Sequence, residues 1–164
     1  MAQRMLNLTI MFRRIVTLAL ALACSRIDAF DFTGIDLPLQ GRHVLPANVG
    51  PALLRQCSRA APSNVTEFWV PAEADIVDLE QRLSAYLLQV HSTKPPANSY
   101  HRQYIGIIRN GTRLIYGNYY PASLSSANDS KTPVMVCDGG PALWGIVFNT
   151  DTKVFTEVQF NGYA

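Results

Sequence analysis

The residues of this chain best suited to chemistry are its cysteines and histidines, three of each, and their spacing limits what they can do. Cys57 and Cys137 stand far apart and outside any C-x-x-C pair, which reads as a disulfide in an oxidising compartment. Such a bridge would close a loop of about 80 residues, corresponding to roughly 4–5 kcal/mol in the chain-entropy account. The competing reading is two separate buried thiols. His43 falls in a Pro/Gly-rich stretch, His91 at a helix end beside prolines, and His101 at the start of a strand. None belongs to an H-E-x-x-H arrangement, so no metal-ligand spacing is visible; each reads as a surface or satisfied histidine, and neither metal nor cofactor is expected. Cys137-Asp138 with His101 imitates a thiol nucleophile and its base, but a bridge at Cys137 removes that mechanism. The enzyme reading left over is a small hydrolase using Asp138 and His101, and it is the weaker one. No G-x-S-x-G elbow occurs, and Gly139-Gly140 does not open a helix as a phosphate cradle would.

The third cysteine belongs to the start of the chain. Arg4, Arg13 and Arg14 precede Ile15 to Ala23, nine residues without charge, which reads as the basic and apolar regions of a signal peptide over residues 1–23. A membrane-spanning helix needs roughly 20 apolar residues, so the run is too short to be an anchor. Ala21-Leu22-Ala23 supplies the small residues of a cleavage site. Ala21-Leu22-Ala23-Cys24 also resembles a bacterial lipobox, in which Cys24 would be acylated, although Ala21 stands where the usual motif has Leu. Both readings place the protein outside the cytoplasm, in the periplasm or on the outer membrane, with a lipid anchor as the sole membrane attachment.

Losing residues 1–23 removes three arginines and no acid, taking 14 basic residues to 11 against 12 acidic, a net charge of −1. With no basic run left to neutralise phosphates, a nucleic-acid partner is not expected. The remainder suits one domain, comprising a loop-rich wrap over 24–66 and a helix plus sheet over 67–164. In the wrap, Pro51 to Cys57 reads as a short helix with proline in its first turn. The longer helix starts at Pro71 and runs to about Gln89, with Glu73, Asp75 and Asp78 near its positive end. Ile76, Leu79, Leu83, Tyr86, Leu87 and Val90 form its apolar stripe, with Asp78, Glu80, Gln81, Arg82 and Gln89 opposite. Pro95 and Pro96 end it.

Beyond Ser99 the period becomes two. Tyr100–Arg109 and Thr112–Tyr120 flank Asn110-Gly111, the strongest short hairpin signal, because a type I′ turn needs positive φ at both central residues. Pro133–Cys137, Leu143–Phe148 and Lys153–Phe160 read as three further strands. The expected fold is therefore α+β, one long helix on a four- to five-stranded antiparallel meander. Asn64-Val65-Thr66, Asn110-Gly111-Thr112 and Asn128-Asp129-Ser130 are formal glycosylation sequons, relevant only in a eukaryotic host.

Gln56-Cys57-Ser58-Arg59, Trp69-x-Pro71, Tyr100-His101-Arg102-Gln103-Tyr104, Ile115-Tyr116-Gly117-Asn118, Cys137-Asp138-Gly139-Gly140-Pro141-x-x-Trp144-Gly145 and Phe160-Asn161-Gly162 together resemble small exported bacterial proteins that carry no known activity. The resemblance covers most of the chain after Pro51 and implies compartment and compactness. Helix followed by meander also resembles cystatin-like folds, which host inhibitors and binding modules. Tyr116, Asn118, Tyr119 and Tyr120 at one strand end, and Asp138, Gly139, Gly140 and Trp144 around a turn, are the candidate binding surface, with Arg102 as a donor to a carboxylate-bearing partner. The competing reading of these aromatics and glycines is ordinary sheet packing. The function expected is a non-catalytic binding protein of the cell envelope with a protein partner, an inhibitor or immunity-type protein or else a structural component.

Overall fold

A computed structural model describes residues 40–91 and 100–163, all inside the compact unit Gly34–Ala164. The leader, Cys24, the proline turn after the helix and the side chain of His91 lie outside the described residues. The fold is α+β: strands β1 (Arg42–Val44), β2 (Val65–Trp69), β3 (Tyr100–Arg109), β4 (Thr112–Pro121), β5 (Trp144–Asn149) and β6 (Val154–Phe160), a short helix α1 (Gly50–Leu53) and a 19-residue helix α2 (Glu73–His91). All six strands form one sheet in the order β1-β3-β4-β5-β6, with β2 also pairing β3.

One strand, β1, comes from the stretch expected to be a loop-rich wrap, and a second, β2, starts at its end; together they change the sheet. β2 runs antiparallel to the Gly106–Arg109 half of β3, whereas β1 runs parallel to its Arg102–Tyr104 half. The sheet is therefore mixed, not a pure antiparallel meander; only β3 to β6 follow the expected run. Three residues with Pro46 close behind left too short a period for β1 to be legible. Pro133–Cys137, expected as a strand, is irregular, and α1 stops at Leu53, short of Cys57.

The hairpin forms as its turn chemistry requires. Asn110 and Gly111 have φ of 52° and 74°, and Arg109 pairs with Thr112. Gly106 allows a close approach: a Cβ there would lie 2.2 Å from the indole of Trp69, which donates from Nε1 to the Ile107 carbonyl at 3.3 Å. The Arg113 guanidinium sits 3.8 Å above that ring, a cation–π contact.

Strand alternation gives the sheet two unlike faces. Leu79, Leu83, Leu87 and Ile76 of α2 cover the first, against Tyr104, Ile115, Tyr119, Trp144, Ile146, Phe148 and Phe155. Val90, expected in the helix stripe, is exposed, and Glu80, expected opposite it, is buried. A bulge accounts for Phe155: Val147 pairs with Glu157 and Phe148 with Phe155, so Thr156 is the extra residue and the alternation of β6 changes phase. The second face carries Ile105, Ile107, Leu114, Tyr116 and Val147 under Leu45 and Leu53. Beyond them its cover is the connection from Ala122 to Leu143.

Candidate functional site

Buried polarity collects at two places, one on each face. On the helix face Arg102 is fully buried and donates from Nε to Glu80 Oε1 at 2.6 Å. The same oxygen accepts from the Tyr104 hydroxyl at 2.9 Å, leaving Tyr119 to donate to Tyr104 at 2.6 Å. Arg42 reaches Glu80 Oε2 at 3.3 Å and also pairs with Glu73. Burial pushes both phenols well above their ordinary range, with the charge of Glu80 adding to it. Opposite charges and hydrogen bonds fill this cluster from within.

On the second face an amide ladder crosses the strands. Gln103 pairs with Asn118, and its amide donates to the carbonyls of Asp129 and Thr132, both at 2.7 Å. Its Oε1 accepts from Val134 N–H at 2.8 Å. Arg59 enters beside it, donating to Tyr116 Oη, Asn118 Oδ1 and Asn161 Oδ1. Asn161 in turn donates to the carbonyls of Val136 and Asp138, both at 2.8 Å. Cys57 and Cys137 form the expected disulfide, with Cα atoms 5.2 Å apart and both residues exposed. It closes the segment holding Arg59 onto the turn at Asp138.

Most of the candidate binding residues are buried and form no exposed patch; Asp138 is half-buried and Gly139 exposed. Arg102, Tyr119, Tyr120, Asn118 and Trp144 are buried; Tyr119 stacks on Trp144 at 3.7 Å between ring centroids. The expectation of exposed aromatics is corrected accordingly: bulky rings on central strands are what the core is made of. Asp138, Gly139 and Gly140 take three consecutive positive φ values of 69°, 82° and 56°. Their turn is tied down by Ser58 Oγ, which accepts from Asp138 N–H at 2.6 Å, and by Gly140 N–H donating to the Gly162 carbonyl at 3.1 Å.

A third group lies at the polar end of the second face. His43 on β1 and His101 on β3 point to the same side, with ring centroids 6.0 Å apart. His101 is opposite Tyr120 in the β3–β4 register, and Tyr120 donates to Asp129 Oδ2 at 2.8 Å. Nitrogen and oxygen atoms from His43, His101 and Asp129 all lie within 4.8 Å of one another. Buried His43 Nε2 and His101 Nδ1 have no hydrogen-bond partner among the described residues. Burial, with His101 and Arg102 nearby, lowers the His43 imidazole below its ordinary value even though Asp129 opposes the shift. Burial raises the Asp129 carboxyl, but donors from Ser126, Tyr120 and Ser125 overcome it and hold the group below its usual range.

Searched against protein-family models, curated proteins and solved structures, the chain matches none. Function must therefore be argued from geometry. Asp138 and His101, the residues of the hydrolase reading, belong to different clusters: Asp138 to Ser58 and Asn161, His101 to His43 and Tyr120. In the sequence His43 and His101 read as separate surface or satisfied residues, and Asp129 has no role of its own. No local motif could have joined them, because they come from three distant segments that only the β1–β3 pairing and the Ser123–Thr132 connection bring together.

Proposed function

We propose that this chain is an exported, non-catalytic binding domain of the bacterial cell envelope, acting on a protein partner as an inhibitor or immunity-type protein does. The observation that carries the reading is the disulfide between Cys57 and Cys137, 80 residues apart, which locks the irregular front segment onto the irregular cover of the second face. Both thiols are consumed by it, and a bond of this kind is stable in an oxidising compartment. The apolar run before Cys24 and the motif string around Asp138 to Gly145 support the same destination. The order of α2 followed by β3 to β6 is that of cystatin-like folds, which host binding modules; this is analogy of fold.

The test is expression with the chain's own leader in a Gram-negative host. The protein is expected in the envelope fraction, with Cys57 and Cys137 resistant to alkylation until reduced and with mass spectrometry showing a chain cut at Cys24 or acylated on it. Cross-linking in that fraction is expected to retain a protein partner that excess purified domain displaces. Recovery from the cytosol with both thiols free, or the lack of any saturable partner, would overturn the reading.

A further inference from the structure

We propose that His43, His101 and Asp129 form a binding site for one late first-row divalent cation, zinc or a close neighbour of it, held by two imidazole nitrogens and one carboxylate oxygen. The site goes beyond the binding function proposed above and does not depend on where the protein is exported.

The backbone places the ligands. Parallel pairing of β1 with β3 sets His43 beside Gln103, and His101 lies two residues earlier on the same face of β3. Antiparallel pairing puts Tyr120 across from His101, and the Tyr120 hydroxyl brings in Asp129. Three elements far apart in the chain thus aim nitrogen or oxygen atoms at one point. The donor set is mixed nitrogen and oxygen, which suits zinc and its neighbours; calcium and magnesium prefer oxygen alone.

Two details single this cluster out from an ordinary pair of packed histidines. The first is the pair of unpartnered buried nitrogens, His43 Nε2 and His101 Nδ1. A buried imidazole nitrogen without a partner is costly, and a cation satisfies both at once. The second is the way His101 and Asp129 are held from behind. A Cβ at Gly41, whose φ is 79°, would lie 2.5 Å from His101 Cδ2, 2.7 Å from Cγ and 2.8 Å from Nε2, so the Gly41 backbone packs against the face of that ring and holds it in place. Asp129 Oδ2 already accepts from Tyr120 Oη, Ser125 Oγ and Ser126 N–H, whereas among the described residues Oδ1 accepts only from Ser126 Oγ at 2.7 Å. Oδ1 is the oxygen left to ligate, and the other donors are the outer hydrogen bonds that orient a metal-bound carboxylate. Ligands about 2.0–2.1 Å from a tetrahedral ion stand about 3.4 Å apart, so the side chains close slightly on loading. The fourth position is open to water or to a partner's donor.

The purified oxidised protein, stripped with chelator, is titrated calorimetrically with ZnCl2, and CoCl2 is added in parallel for its visible absorption. One ion per chain is expected, with no binding of calcium or magnesium. His43→Gln and His101→Gln are expected to lose more than about 100-fold in affinity, and Tyr120→Phe, which removes an outer hydrogen bond, about 10-fold. Should a histidine variant fail to fold, the wild type decides: zinc must move the ring resonances of His43 and His101 in its NMR spectrum. Absence of binding, affinity unchanged in both histidine variants, or zinc that shifts neither ring would overturn the proposal.

Discussion

The two faces of the sheet bury polar groups by different rules. Under α2 the charges answer one another: Glu80 takes both Arg42 and Arg102, and Tyr104 and Tyr119 complete the chain of donors. On the opposite face Arg59 is buried, yet among the described residues it donates only to neutral oxygens of Tyr116, Asn118 and Asn161. There the cover lacks regular structure between the short turn after β4 and Gly140, and side-chain amides stand in for a strand. A helix satisfies its own backbone, so the first face needs polar partners only for its side chains. An irregular cover must borrow partners for its backbone from the sheet beneath and its margin, which is what Gln103 and Asn118 on the strands and Asn161 just past β6 provide. This difference leaves the second face with groups still available, the histidine nitrogens among them.

The sharpest way to break the comparison is to cut the staple that holds the irregular cover. Replacing Cys57 and Cys137 by Ser removes a link across 80 residues, and the chain-entropy account puts the loss at about 4.5 kcal/mol. Urea unfolding is the measurement. Hydrogen exchange adds the spatial part, since amides of Ser58–Arg59 and Val134–Asp138 should open before those of α2. Equal loss of protection on both faces would mean that the cover is not the weaker layer.

A smaller effect separates the two kinds of buried cation. Glu80→Gln breaks a buried ion pair and is expected to cost about 3 kcal/mol, the low end for such a change, because the amide still accepts from Arg102 and Tyr104. Arg59→Met leaves three neutral oxygens short of a donor but strands no charge, and about 2 kcal/mol is expected. Paired denaturation curves decide the order, and a larger loss for Arg59→Met would reverse the comparison.

The helix face was largely legible in the sequence, and the other was not. Helix periodicity from Ile76 to Leu87 and the Asn110-Gly111 turn are local signals, and both appear within two residues of where they were expected. In the sequence Glu80 reads as solvent-facing, because a carboxylate beside an apolar stripe looks like its polar flank; Arg102, Arg42 and Tyr104, all on other elements, make its burial tolerable. The second face rests on pairings without local period. β1 is three residues long, the bulge at Thr156 hides the phase of β6, and the Ala122–Leu143 cover follows no repeat. Of the candidate site, His43 and His101 stand out in the sequence only singly, and the polar connection that supplies Asp129 has no spacing that connects it to either.

The smallest effects concern acid, and they test each face through one carboxylate. Asp78 on α2 pairs with Arg82 at 2.6 Å and Lys153 at 2.8 Å. Burial raises its carboxyl, but those two cations more than offset this and leave it below the ordinary value. Asp129 is lowered likewise, by hydroxyl and amide donors against its own burial. A carboxyl lowered on folding contributes stability that is fully present above its unfolded pKa and is lost as pH falls through the folded one. Both groups therefore withdraw support below about pH 4, the ordinary carboxylate range. The consequences differ in kind. Asp78→Asn is expected to cost at most about 1 kcal/mol at neutral pH, because its pair is partly solvated and salt weakens it. Asp129→Asn is expected to cost about 2 kcal/mol in chelator-treated protein, because four donors lose their acceptor charge in a buried site, and that cost should persist in high salt. Thermal unfolding from pH 7 to pH 3, at low and high ionic strength, measures both. Each substitution should flatten the acid limb, and only the Asp78 contribution should fade with salt; if both fade alike, the second face is wetter than its hydrogen bonds imply.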